Sequence, residues 1–582
     1  MVNSNIRNKL KEGSTERIWS ALSELRYIFS HALLRDSVYE MQLKSRLREL
    51  HKLAGDTLVK LFPDDKEKLA DIANHYEMAE DWEKAQKYYT KCGLFCKDSL
   101  KFAEASFAFK KALWICENEY NCDNPTLAIR FSGLAALNHE QGLYEDAEHL
   151  YKKAQKIYSQ EYGSEHLEVA KNLCNLATLY HHKGIYNEAE PLFNTALEIQ
   201  KKLFGDQDLS VASSLNSLAA LFKDQGHYAK AEPLYEKALQ IYRKVHGNEH
   251  PDIARSLSNQ AVLYMDQGFL DKAEPLMKNA LEMRKNTLGH KHPEVAISLN
   301  NIAVLYRNKG FYKKAESLHE IVLKISEDVY GNQHPFIADY LNNFAHLYQT
   351  QGLYEKAELL YLGALEMQER TVGSQHPSFL NCLSNIAEIY REMGNLSKAE
   401  PLMKRAIKIK RNVFGTENFS FARSLNDLGL LYYNQGLDNK AEPLLKKSLR
   451  IKERSLGKNH PQVASSLQNL AFLYSRKGNY NKAEPLFARA LAIDEKTFGN
   501  DHPNVAYDLN GMAVLFHEQG RPIDAEPLFK RCISIMNTSI PDHPHLAIIL
   551  NRYAKLLEET NRPKEANQMR DKAQAIRDKN AN

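Results

Sequence analysis

Two series of glycines, each stepping by 42 residues, decide what this chain can fold into. One runs Gly142, Gly184, Gly226, Gly268, Gly310, Gly352, Gly394, Gly436, Gly478 and Gly520. The other runs Gly163, Gly205, Gly247, Gly289, Gly331, Gly373, Gly415, Gly457 and Gly499. Two series that hold phase over about 360 residues mark one supersecondary unit copied along the chain. A chain of 582 residues exceeds one ordinary core, and an array whose units pack only on their neighbours takes its place.

The unit around Gly226 shows the physics. Leu215, Leu218, Ala219 and Phe222 precede it at helical spacing, and Tyr228, Ala231, Tyr235, Ala238, Leu239 and Tyr242 follow it in the same way. Gly226 suits the left-handed position that ends a helix, and Gly247 is expected to end the second helix in like fashion. His250-Pro251 then places proline in a first helical turn, where its missing N–H costs least. Each unit is therefore two antiparallel helices. The small Ala219, Ala231 and Ala238 allow close approach, and the aromatic residues fill the space between hairpins. Pro191, Pro233, Pro275, Pro401, Pro443, Pro485 and Pro527 fall about five residues into the second helices, which predicts a mild kink or a later helix start.

Leu218-Ala219, Phe222, Gly226, Tyr228, Ala231, Tyr235 and Ala238-Leu239 resemble the tetratricopeptide signature. The 42-residue length, the GxxHPxVA link and the LNNLA and AEPLY segments are similar to the repeats of kinesin light chain and its bacterial relatives. The resemblance implies an all-α, right-handed superhelical solenoid of antiparallel helix pairs. Its expected divisions are an irregular helical region at 1–99, tandem repeats at 100–561 and a polar capping helix with tail at 562–582. Near the end one residue drops out of the link, and Asn561 stands where a glycine is due. The coiled-coil heptads that join kinesin light chain to its heavy chain are missing.

Residues 1–99 lack the period. The stretch from Tyr27 to Tyr39, with Arg46–His51 and Asn74–Tyr89, resembles the segment that leads from the nucleotide module of STAND-type signalling ATPases into helical repeats. No G-x-x-x-x-G-K-[ST] loop is present to cradle phosphate: Lys458 follows Gly457 without a Ser or Thr after it. Either the chain is the sensor and repeat portion of a split or truncated STAND-type ATPase, with a separate ATPase module as partner, or the segment survives as an N-terminal helical cap.

Composition excludes several classes. Seventy-seven basic and 73 acidic residues leave +4, without the basic run of a nucleic-acid binder. No apolar run approaches the ~20 residues needed to span a bilayer, and the N-terminus lacks a signal-peptide core. Seven irregularly spaced cysteines argue against a disulfide framework and for a reducing, cytoplasmic setting. Cys92 and Cys96 are either half of a zinc site or two small buried hydrophobes. Eight histidines (His166, His250, His292, His334, His376, His460, His502, His543) recur in the links, each alone at its own helix start, so no metal site is expected. No catalytic constellation and no cofactor motif stands out, and no enzyme is expected.

The remaining expectation is a protein or peptide ligand along the concave groove, where the first helix of each tetratricopeptide unit faces. Nine and ten residues before the first-series glycines lie Asn175, Asn216, Asn259, Asn300, Asn301, Asn342, Asn343, Asn385, Asn426, Asn469 and Asn510. A side-chain amide carries donor and acceptor, so such a row can bond the backbone of an extended peptide; it can equally bond neighbouring helices and keep the stack in register. Arg255, Arg307, Arg391 and Arg423 share that face with Lys171, Lys223, Asp266, Asp339 and Glu388; the mixture leans positive and either favours a carboxylate-bearing ligand or is a solvated mixed-charge surface.

Overall fold

The structure, a computed structural model, describes residues 44–99, 101–120, 122–541 and 543–581. The Tyr27–Tyr39 stretch lies outside the described residues. These hold 26 α-helices, one short 3-10 turn and no strand. Contacts divide the chain into two compact units, residues up to 176 and residues 177–582.

In the second unit the hairpins follow the glycine period. First helices such as Pro251–Asp266 run 16 residues, and second helices such as Tyr228–His246 run 19. Gly226 has φ +70° and closes a Schellman turn: His227 N–H donates to Phe222 O at 2.8 Å, and Gly226 N–H to Lys223 O at 2.9 Å. Gly247 differs from the expectation. Its φ of +79° comes with ψ of −150°, an extended mirror-image conformation open essentially to glycine and not the left-handed helical one. The seven prolines sit inside helices that begin five residues earlier and run through them, as at Pro233 in Tyr228–His246. Pro233 faces solvent, where water can take the carbonyl left without its N–H partner.

The link histidines are the caps of the first helices. In His250, His292, His334, His376, His460, His502 and His543 the ring Nδ1 accepts the backbone N–H two residues on, and proline occupies the first helical position. A ring that accepts through Nδ1 has only Nε2 left as a donor.

Packing within a hairpin rests on small residues. Ala219, Ala231 and Ala238 are fully buried, with Tyr235 and Tyr242 filling the adjoining space. A clasp joins neighbouring hairpins: Tyr264, Tyr348, Tyr390, Tyr432 and Tyr474 donate to Glu232, Glu316, Glu358, Glu400 and Glu442 of the preceding unit at 2.6–3.1 Å. A lysine of the tyrosine's own unit covers each ring, as Lys398 does at 4.9 Å from the Tyr390 centroid. First helices of successive units also pack directly on one another, for example Pro293–Asn308 on Pro335–Thr350. They therefore lie on the inner side of the local bend.

In the first unit the helix pair Leu69–Met78 and Trp82–Asp98 lies outside the period yet makes the same turn. Asp81 N–H donates to Tyr76 O at 3.0 Å, and Glu80 takes φ +55° where the repeats use glycine. Cys92 and Cys96 are buried with their sulfurs 3.9 Å apart, as small core residues. Cys116 and Cys122 form a disulfide, a pairing that the irregular cysteine spacing did not foreshadow.

Candidate functional site

The asparagine row resolves into two kinds of position. Those ten residues before the glycine, Asn216, Asn300, Asn426 and Asn510, are buried between helices; Asn342 is half-buried. Those nine before it, Asn259, Asn301, Asn343, Asn385 and Asn469, are half-exposed, and Asn175 is exposed. The two kinds join across units. The Asn343 amide donates to Asn300 Oδ1 at 3.3 Å, Asn385 to Asn342 at 2.9 Å and Asn469 to Asn426 at 3.1 Å. Ser256 donates to Asn216 at 3.4 Å. The row thus ties successive first helices together. It uses one N–H of the Asn343, Asn385 and Asn469 amides and leaves each its second N–H and its carbonyl.

The arginines on this face differ in what holds them. Arg255 pairs with Asp252 at 2.7 Å, and Arg391 with Glu388, its Nε donating at 3.1 Å. Arg307 reaches no carboxylate among the described residues. Its guanidinium donates to Asn308 Oδ1 at 3.1 Å and contacts the His346 ring. Burial, with Arg307 and then Arg423 nearby, lowers the His346 pKa to about 4, so the ring between the two arginines is neutral. Arg423 is exposed and makes no ion pair within 4 Å among the described residues. Elsewhere the groove charges are matched: Lys223 bridges Asp224 at 2.8 Å and Asp266 at 3.2 Å, and His181 bonds Asp224 at 2.7 Å.

Beneath the groove runs a second polar column that sequence reasoning missed. Sixteen residues after five of the first-series glycines, on an otherwise apolar face, stand Gln200, Arg284, Lys410, Lys452 and Asp494, all buried. Each meets a first helix. Ser214 donates to Gln200 at 2.7 Å, Arg284 to Ser298 at 2.5 Å, Lys410 to Ser424 at 2.9 Å and Lys452 to Ser466 at 2.8 Å. Asp494 faces buried Asp508, which accepts from Gln468. Aligning the sequence on the glycines exposes the column; reading each helix alone hides it.

One link histidine is not alone, contrary to expectation. Ligand-type atoms of His246, His250 and Asp252 lie within 4.8 Å of one another. The two imidazoles are stacked 3.7 Å apart and within 6° of parallel, so their in-plane lone pairs run side by side and do not converge on one point. His246 occupies the place of Tyr162, Tyr330 and Phe498, each stacked on its own link histidine, and packing accounts for it.

An array of antiparallel helix pairs stacked in register, its first helices tied by side-chain amides, is a helical-repeat solenoid. The sequence matches the tetratricopeptide repeat family in eight overlapping windows that run from residue 127 to 412 and from 420 to 538, and the chain belongs to that family. Among solved structures it is similar to a putative kinesin light chain from Podosopora anserina with nearly identical TPR-like repeats, at 25% identity over 36% of this chain and 99% of that one, with a TM-score of 0.31. BtubC (BKLC) from P. vanneervenii is similar at 22% identity over 43% and 93%, with a TM-score of 0.31. A Rap protein complexed with Competence and Sporulation Factor is similar at 13% identity over 64% and 98%, with a TM-score of 0.46. No curated protein matches. Among the described residues no helix is long and apolar enough to cross a membrane.

Proposed function

We propose that the chain is a non-enzymatic scaffold that holds an extended segment of another protein along its first helices, the surface that helical-repeat arrays offer for binding. The observation that carries this is the pair Arg307 and Arg423. Both lie on first helices, neither makes an ion pair within 4 Å among the described residues, Asp427 acts on Arg423 only at longer range, and a neutral His346 lies between the two arginines. The half-exposed Asn343, Asn385 and Asn469, on three of the first helices, each keep a carbonyl and one N–H to offer a peptide backbone. Together they suit a peptide bearing a carboxylate, which a guanidinium binds with two parallel hydrogen bonds. Selection from a random displayed-peptide library tests this. Selected peptides should be enriched in Asp, Glu or a free C-terminus and should lose at least tenfold in affinity for a folded Arg307→Ala/Arg423→Ala variant. Equal binding to both chains would place the ligand surface elsewhere. The alternative, the sensor of a separate signalling ATPase, rests on the N-terminal resemblance, and reproducible capture of a nucleotide-binding protein by residues 44–99 of the full chain would favour it.

A further inference from the structure

Within residues 177–582 three links meet three glycine turns that lie six units earlier in the chain. Asn418 caps its own helix, with Ser420 N–H donating to Oδ1 at 2.6 Å, while its amide donates to Lys183 O. His460 does the same with its two ring nitrogens: Nδ1 accepts from Gln462 N–H at 3.0 Å and Nε2 donates to Asp224 O at 3.0 Å. His502 caps its helix through Nδ1, and its Nε2 lies against the Gly268 turn. Each contact is displaced from the last by one repeat on both sides. The helix Tyr186–Phe204 also packs on Asp438–Leu456, and the Tyr228 and Phe498 rings lie 6.0 Å apart.

The turns are fitted to what they receive. A Cβ on Gly226 would stand 2.9 Å from Pro461 Cδ, and one on Gly268 only 2.5 Å from His502 Nε2. Gly310 and Gly436 share their positive φ, +78° and +73°, but a Cβ there would meet nothing within 4 Å. The next contact in the series would pair Gly310 with His543, whose link is one residue shorter. The series stops there.

We propose that these contacts form a seam that closes one turn of the repeat array on itself, and that the seam opens reversibly to admit a ligand to the inner face. The open and closed states differ by a few hydrogen bonds, one ring contact and the packing of one helix pair, a small enough surface to part without unfolding any hairpin. The seam also gives the closure a pH dependence. In the closed state burial lowers the pKa of both His460 and His502 to about 4. Around His460 the charged or titratable groups are Asp224 and His227 on the facing turn and Lys452 on its own hairpin; His502 stacks on Phe498, whose ring meets Tyr228, and Asp494 lies near Tyr228. Once exposed, the rings return toward the ordinary value near 6.5. Protonation therefore favours the open state, and closure is full above about pH 6.5 and weakens as pH falls toward 4. Asn418 makes both hydrogen bonds without titrating.

Small-angle scattering of the full chain tests the seam, with circular dichroism as the check on folding. Gly226→Ala/Gly268→Ala should shift the radius of gyration upward. Gly310→Ala/Gly436→Ala, which carries similar backbone strain and no seam clash, should scatter like wild type. Identical scattering from the two double variants overturns the proposal. Should the first pair lose helicity, the pH profile decides: wild type should expand between pH 7 and pH 4.5, and His460→Asn/His502→Asn should remain compact. Coincident profiles overturn the seam as well.

Discussion

At one equivalent position, two neighbouring hairpins of this chain bury opposite charges. Lys452 and Asp494 are equivalent residues one unit apart, each almost fully enclosed. Burial lowers the Lys452 pKa to about 8 and, with Asp508 opposite, raises that of Asp494; burial raises Asp508 too. The consequences for stability run in opposite directions. A lowered lysine pKa means that the unfolded chain binds more protons between about pH 8 and 10.5, so stability rises with pH through that window. Raised aspartate pKa values mean that the native state holds more protons, so stability falls from about pH 4 upward until the folded pair has titrated. Asp494→Asn keeps a hydrogen-bonding group and removes the repulsion. It should raise the thermal midpoint of the C-terminal hairpins at pH 9 by more than at pH 5, and Lys452→Met should gain near pH 7 and lose that gain above pH 10. Each pKa unit removed corresponds to about 1.4 kcal/mol. Parallel pH profiles for wild type and Asp494→Asn would show that the carboxyls carry no shared proton. None of this was visible helix by helix, because one polar residue on an amphipathic helix reads as an edge position. The link histidines were visible, and the alignment of proline after histidine already marked a helix start. Their capping bond through Nδ1 needed the ring orientation.

At the scale of the helix pair, the glycine period made the hairpins legible from residue 142 onward, since a backbone position with φ near +70° admits few side chains. It could not show the hairpin at Leu69–Asp98, whose turn uses Glu80. A glutamate at positive φ costs about 1 kcal/mol relative to glycine. Its partner Arg48 is about half exposed, so that ion pair returns little. Glu80→Gly should therefore stabilise the first unit by at most about 0.5 kcal/mol, net of the greater freedom glycine has when unfolded. Slower amide exchange across Tyr76–Ala85 would record the gain; faster exchange would mean that the Arg48 contact outweighs the backbone strain. The prolines recur in register in the sequence, but whether the helix begins before or after them depends on the N-terminal turn. The carbonyls at Leu143, Ile185, His227 and Phe269 accept from Ala147, Ala189, Ala231 and Ala273, which fixes the earlier start.

At the scale of the whole molecule, what the sequence could not reveal is contact between residues some 235 positions apart. Small rotations at each hairpin interface accumulate over six units, and no local pattern encodes their sum. The open end of the array is more legible, because covering it is a local matter. Asn561 takes φ +58° in the glycine's place, and the last helix, Pro563–Ala581, lays Ala566 and Ala573 over Leu550, Tyr553, Ala554 and Leu557 while turning its charged side to solvent. Met569 and Ile576 complete the cover. A chain ending at Thr560 would expose that apolar face, and burying it again at roughly 25 cal/mol per Å² favours pairing with a second copy. Light scattering coupled to gel filtration should then find the truncated chain in a concentration-dependent equilibrium with dimer, with faster amide exchange in Pro544–Glu559 at low concentration. Full-length chain should not acquire that dimer at the same concentrations. If the truncated chain stays monomeric with unchanged exchange, the last helix does not act as a cap, and the hairpin of Pro522–Ser539 and Pro544–Glu559 holds by its own packing.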